Sequence, residues 1–265
     1  CPQKGARRVA IYHCSIKVIS RGKGKSAVAA AAYRAGEKIT NQFDGMTHDY
    51  THKGGVVHTE ILLPDHAPAE YADRAVLWNE VEKIEKAKNA QLAREIEISL
   101  PRELTREQSI SLVREYVKRH FVAAGMCADV CLHDTGGGNP HAHIMLTMRP
   151  FDEGGEWGAK QKKEYILDRD GNKIYDPKKR QYKCKSIPAT DWNEQTKAEE
   201  WRAAWARLCN QTLEQYEHAE RIDHRSYERQ GINQIPTVHL GVAASAMEKR
   251  GIRTGRGDLN REIEV

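Results

Sequence analysis

Between positions 126 and 149 two runs, "MCADVCLHD" and "HAHIMLTMR", are separated by only the six residues "TGGGNP". A connection this short, rich in glycine and closed by Asn-Pro, leaves the runs one arrangement, adjacent antiparallel strands. Side chains alternate across a strand, so His141 and His143 leave by the same face. His133, at the end of the neighbouring strand, can meet them across the turn. Any fold for this chain must therefore accommodate a sheet with three imidazoles gathered on one face.

Flanking segments extend that sheet. "AREIEISLP" (93–101) alternates strictly, Ile96, Ile98 and Leu100 to one side and Glu95, Glu97 and Ser99 to the other, while "VAIYHCSIKVI" (9–19) and "VVHTEILLP" (56–64) read as further strands. Between them, "AVAAAAYRAGEKI" (27–39) is predicted helical from its alanine content. The segment 70–91 repeats Ala72, Ala75, Val76, Trp78, Val81 and Ile84 at helical spacing, and a helix after Thr105 runs to the glycine at 125. A last helix, 196–218, turns Trp201, Trp205, Leu208 and Leu213 inward. This order predicts an α+β two-layer sandwich, a largely antiparallel sheet covered by helices on one face, with the other face free for chemistry. One domain is expected over 1–265, with 151–190 a basic insertion containing a hairpin turn at "DRDGNKIYD" and 191–265 a helical extension.

Lys and Arg number 42 against 37 Asp and Glu, an excess that suits a polyanionic partner without requiring one. The six cysteines are scattered and no secretory segment is recognisable, so reduced thiols in a cytoplasm are expected. No run approaches the ~18 apolar residues of a membrane span, and no membrane partner is expected. Cys127 and Cys131, four apart on a strand, would lie ~13 Å from each other, too far to share an ion, and read as small core residues.

One histidine on a sheet would be an ordinary half-exposed residue; three converging on a polar face suit a divalent metal with open coordination positions. Glu95, on the same side, could orient a histidine, ligate, or accept a proton, whereas Glu97 reads equally well as a solvated sheet edge. Arg21, Lys23 and Lys25 of "SRGKGKS" are candidate phosphate contacts, as is Arg34 on the following helix. In the insertion, Lys162, Lys163, Lys178, Lys179 and Arg180 alternate with Tyr165, Tyr175 and Tyr182, a pattern for phosphate contact with base stacking that a solvated hairpin would also show.

The ordered set "AIYHCSIKVISRGKGKSAVAAAAYRAGEKI", "AREIEISLP", "CLHDTGGGNPHAHIMLT", "RIDHRSYERQGI" and "PTVHLG" resembles the MobA/MobL (MobQ-type) conjugative relaxases. These belong to the HUH endonucleases, named for the His-hydrophobic-His motif matched by His141, Ala142 and His143. The resemblance implies a bacterial, cytoplasmic, site- and strand-specific DNA nickase and strand transferase, acting at an origin of transfer through a 5′-phosphotyrosine intermediate. It places the nucleophile at Tyr33, a metal on His133, His141 and His143, and the acidic position at Glu95; Tyr12 is the competing tyrosine and is read as structural. Magnesium or manganese is the expected working ion, with zinc or nickel also acceptable to imidazoles. Single-stranded origin DNA, accessory transfer proteins and a coupling protein are the implied partners. Two other readings stay open: a rolling-circle replication initiator, and an inert DNA-binding module with a structural metal. No chemistry is assigned to His224 or His239.

Overall fold

The computed structural model describes residues 12–232, 237–238 and 240–263. Its main sheet is built from β1 (Cys14–Ser20), β4 (Val56–Leu62), β5 (Gln91–Ser99), β6 (Ala128–His133) and β7 (His141–Thr147). They lie in the order β1-β5-β7-β6-β4, every pairing antiparallel. The short strands β2 (Lys38–Thr40) and β3 (Thr47–Asp49) pair separately.

Alternation decides what each face meets. Ile96, Ile144 and Val130 stand abreast and are covered by α3 (Arg106–Val117) and α4 (Gln195–Gln215). Tyr116 of α3 packs edge-on against Trp205 of α4, and its hydroxyl donates to the Trp201 carbonyl at 2.9 Å. The antiparallel α+β sandwich is as expected, with one correction to its layering. Helices α1 (Ala27–Ala35) and α2 (Arg74–Ile84) pack on part of the opposite face, where Ala93, Cys127 and Met145 meet Ala31, Ala32, Leu77 and Trp78. That face is apolar at one end of its strands and polar at the other, so helices cover only the apolar end.

Local signals explain the helix ends. Helix α1 stops at Gly36, whose φ of 69° lies in the left-handed region favoured by glycine, so residues 38–40 become β2 rather than a further turn of helix. Helix α2 is shorter than the expected 70–91. Asp73 caps its start through the Ala75 and Val76 amides, and at its far end the Arg21 guanidinium takes the carbonyls of Glu82, Glu85 and Ala87.

A buried ion pair pins α2 to the sheet. Arg74 donates twice to Asp129, both at 2.8 Å, and the Trp78 indole N–H donates to the same carboxylate at 2.8 Å. Asp129→Ala would leave the guanidinium without its buried partner, and urea denaturation should show a loss of about 3 kcal/mol. A loss below ~1 kcal/mol would mean that water or Glu37 already satisfies Arg74.

In the insertion, β8 (Gln161–Tyr165) pairs with β11 (Cys184–Pro188), and β9 (Tyr175–Asp176) with β10 (Gln181–Tyr182). The turn expected at "DRDGN" is present, closed by the Leu167–Lys173 bridge, although β8 takes β11 rather than "KIYD" as its main partner. The chain divides into two compact units, up to Ile222 and from Asp223 onward. The expected 191–265 extension is thus split, because Trp201 and Trp205 bind α4 into the main core. The second unit contains α5 (Gly241–Lys249) and α6 (Gly255–Ile263), with Arg261 of α6 paired to Glu248 of α5 at 2.9 Å. Among the described residues no helix is long and apolar enough to cross a membrane.

Candidate active site

Strand register gathers the imidazoles. His133 lies directly opposite His141 across β6 and β7, and His143 follows two residues along the same face. Ring centroids are 5.3 Å apart for His133 and His141, 4.8 Å for His133 and His143, and 5.1 Å for His141 and His143. One ligating nitrogen of each ring lies within 4.8 Å of those of the other two.

Each ring also commits one nitrogen outside the cluster. His133 Nε2 is 2.6 Å from the Arg34 carbonyl, His141 Nδ1 2.9 Å from the Asn139 carbonyl, and His143 Nδ1 2.9 Å from Glu95 Oε1. Carbonyl and carboxylate oxygens only accept, so those nitrogens carry the N–H and each ring keeps one lone pair. Oxygen acceptors behind the rings are the arrangement that fixes the tautomer of metal-binding imidazoles. Burial pushes His133 down to about 4, so the ring is neutral at physiological pH. Three imidazole nitrogens without a thiolate fit a divalent cation such as manganese, zinc or nickel.

Glu95 is 5% exposed. Burial works to raise its carboxyl, but the hydrogen bonds from His143 and from Arg34 Nε, the latter at 2.5 Å, together with the guanidinium charge, hold it at about 2. A carboxylate that acidic, with Oε1 already accepting twice, is a weak base. Of the three roles open to it, the geometry favours orienting His143. Glu97 pairs with Lys17 at 3.4 Å and lies 3.8 Å from His13.

Tyr33 sits near the end of α1, 49% exposed. The helix is placed at both ends. Ser26 caps the Ala29 amide at 3.1 Å, and the buried Glu82 accepts from the Ala27 amide at 2.7 Å. At the other end, the residue after Tyr33 touches the site twice, its carbonyl to His133 and its side chain to Glu95. Tyr12, by contrast, packs against the core beneath α3 and α4, on the sheet face opposite the histidines, and burial raises its phenol well above the ordinary value.

The expected DNA contacts divide. The Arg21 guanidinium closes α2 and pairs with Glu82 at 2.7 Å, and that of Arg34 is held by Glu95 and the Ala30 carbonyl, so both are engaged within the fold. Lys23, Lys25, Lys162, Lys163, Lys178, Lys179 and Arg180 are all exposed. Tyr182 has Tyr175 at 5.4 Å and Tyr165 at 6.3 Å between ring centroids, and Lys173 Nζ lies 4.1 Å over Tyr165. The insertion thus gathers Tyr165, Tyr175 and Tyr182 with Lys173. Cys127 and Cys131 are buried free thiols, as expected. His224 lies 3.9 Å from Asp223, and His239 falls outside the described residues.

Two groups of residues escaped the sequence reading. Tyr50 and Lys53 of "YTHKGG" flank the Tyr33 ring, yet a loop has no periodicity to reveal this. Its one signal is Gly54-Gly55: at Gly55 φ is +85°, and a Cβ would fall 2.7 Å from Thr135, where the loop crosses the turn after β6. Arg102 and Arg106 line a cleft of about 420 Å³ that also touches His133, Gly138 and Pro140.

Comparison with known proteins adds relatives to this geometry. The model of the MobA/MobL family matches residues 25–250. The chain is 39% identical to a probable mobilization protein MobA of Bifidobacterium longum, covering 96% of this chain and 47% of that protein. It is 40% identical to mobilization protein MobL of Acidithiobacillus ferridurans (91% and 65%) and 41% identical to conjugal transfer protein TraA of Agrobacterium fabrum (96% and 23%). The chain thus spans from about a quarter to under two thirds of the length of these relatives. A solved structure described as the molecular basis of vancomycin resistance transfer in Staphylococcus aureus superposes with a TM-score of 0.70 at 33% identity, over 82% of this chain and all of that one. The order of its motifs, its fold and its relatives agree, and the chain belongs to the MobA/MobL family.

Proposed function

We propose that this chain is a relaxase: it nicks one strand of DNA at an origin of transfer and holds the cut end as a tyrosine ester during plasmid mobilisation or conjugation. The observation that carries the reading is three imidazoles, each with its N–H turned to an oxygen outside the cluster and one lone pair left, one residue of contact away from an exposed tyrosine. The names of the relatives, mobilization and conjugal transfer proteins, support DNA transfer as the setting.

In this reading Tyr33 Oη attacks the scissile phosphorus in line. The bond from phosphorus to the 3′-oxygen breaks, that oxygen takes up a proton, and the phenol gives up its own, leaving a 3′-hydroxyl and a 5′-phosphotyrosine. The ester conserves the linkage energy, so the reverse attack by a 3′-hydroxyl rejoins the strand. His133, His141 and His143 would hold a divalent cation such as manganese, which when bound would offset charge developing on the phosphate oxygens. Glu95 keeps His143 in the Nδ1–H tautomer, and Arg34 keeps Glu95 ionised and the end of α1 against His133. Lys23, Lys25 and the cations of the insertion bind the backbone of the single strand, while Tyr165, Tyr175 and Tyr182 offer stacking faces. Accessory transfer proteins and a coupling protein are the partners this role requires.

The test uses 3′-labelled single-stranded oligonucleotides tiled across the DNA flanking the encoding gene, incubated with the protein and manganese. One oligonucleotide should yield a labelled band at the mass of protein plus DNA in denaturing gels, and chelator should abolish it. Absence of any such band with every oligonucleotide would leave an inert binding module, and an undiminished band in chelator would remove the metal from the reaction.

A further inference from the structure

The loop that joins β3 to β4 passes over the end of α1 and forms a clamp on the tyrosine. Lys53 Nζ donates to the Tyr33 carbonyl at 2.8 Å and lies 4.0 Å from the centroid of the Tyr33 ring. The Tyr50 ring meets that same ring edge-on, with centroids 5.2 Å apart and planes at 87°. The loop itself is anchored on both sides: Tyr50 N–H donates to the Glu37 carbonyl at 3.1 Å, and the Gly55 carbonyl accepts from Asp134 N–H at 2.8 Å, one residue beyond His133. Side chain and backbone of Tyr33 are therefore both held, although half of the residue is open to solvent.

Lys53 is half-buried, and among the described residues no carboxylate pairs with it. A desolvated ammonium without a counter-ion is costly unless something nearby repays it. Its contacts here are a carbonyl and an aromatic face. An ammonium over a phenol ring attracts its electron-rich face, and attracts it more strongly as the ring becomes a phenolate.

We propose that Lys53, with Tyr50 as the opposite jaw, is a positioning residue for strand cleavage: it holds the Tyr33 ring in its attacking orientation. The inference rests on the relaxase reading with Tyr33 as nucleophile. Its effect should fall on the chemical step, because both contacts are to the tyrosine and neither requires DNA.

The experiment compares Lys53→Met, which keeps the aliphatic stem but removes the charge, with Lys53→Arg and Tyr50→Leu in single-turnover cleavage of the oligonucleotide that forms the adduct. Lys53→Met should cleave about 10-fold to 30-fold more slowly at saturating protein, which corresponds to about 1.4 to 2 kcal/mol. Its oligonucleotide affinity, measured by fluorescence anisotropy, should change less than about threefold, since a single phosphate contact is not being removed. Lys53→Arg should recover most of the rate, because a guanidinium also stacks on an aromatic ring, and Tyr50→Leu should slow cleavage without weakening DNA binding. Equal losses of rate and affinity in Lys53→Met would make Lys53 a plain phosphate contact, and an unchanged rate would remove it from the reaction; either result overturns the inference. If Lys53→Met fails to fold, Tyr50→Leu and Lys53→Arg still decide, the first by its slowed rate and the second by its retained one. A wild-type protein that forms no adduct sinks the relaxase reading itself, an outcome distinct from an active enzyme indifferent to residue 53.

Discussion

Tyr33→Phe is expected to abolish the covalent protein–DNA adduct and slow strand cleavage by ~10⁴-fold or more, the scale on which loss of a nucleophile acts. Tyr12→Phe should leave cleavage within about threefold, since it removes a hydroxyl that takes no part in the chemistry. The contrast follows from which side of the sheet each ring occupies. Tyr12 packs among the residues beneath α3 and α4, where burial raises its phenol and makes a phenolate costly. Tyr33 is on α1, half-exposed, next to the residue whose carbonyl and guanidinium bond His133 and Glu95. Both substitutions delete one oxygen and keep the ring, so a difference between them reports chemistry and not packing. Mass spectrometry of the adduct after nuclease digestion should find the nucleotide on the peptide containing residue 33; its recovery on the Tyr12 peptide would reverse the assignment.

The second large effect concerns the metal. His141→Ala should reduce cleavage by ~10³-fold, while affinity for the oligonucleotide falls less than about fivefold, because phosphate contacts by lysine and arginine dominate binding of a strand. His141 suits this test better than its neighbours. Its ring is only partly buried and its one structural hydrogen bond is to a nearby loop carbonyl, at Asn139, so its removal should spare the fold. His133 is buried and bonded to α1, so His133→Ala would confound metal loss with a displaced helix. Manganese titration by calorimetry should show a site in the wild type that is lost or weakened at least ~30-fold in His141→Ala. Comparable losses in cleavage and DNA affinity would instead make the cation a binding or folding element.

Four of the chemical groups were legible from strand alternation and a short turn. Glu95 on β5 and the histidines of β6 and β7 share a face for reasons contained within a few residues of each. The resemblance to a known family then singled out Tyr33, which no periodicity could have marked. The same local reasoning did not anticipate the internal partners of Arg21 and Arg34. Read in sequence they are cations beside a glycine-rich loop and a helix end; in the fold their guanidinium groups close a helix and hold a buried carboxylate. It also missed Tyr50 and Lys53, because an irregular loop carries no spacing that reports where it will lie.

The sequence by itself determined the sheet and the converging imidazoles, since hydrogen-bonded strands impose a period of two and a six-residue turn leaves one pairing, and the order of its motifs carried the resemblance to the family. Only the tertiary structure decided what surrounds them: which tyrosine shares their face, which arginines are spent on the fold, and which lysine lies over the tyrosine ring. Those contacts join positions as far apart as Arg34 and His133, 99 residues along the chain, and arise from the packing of helices on the sheet, which local pattern does not encode.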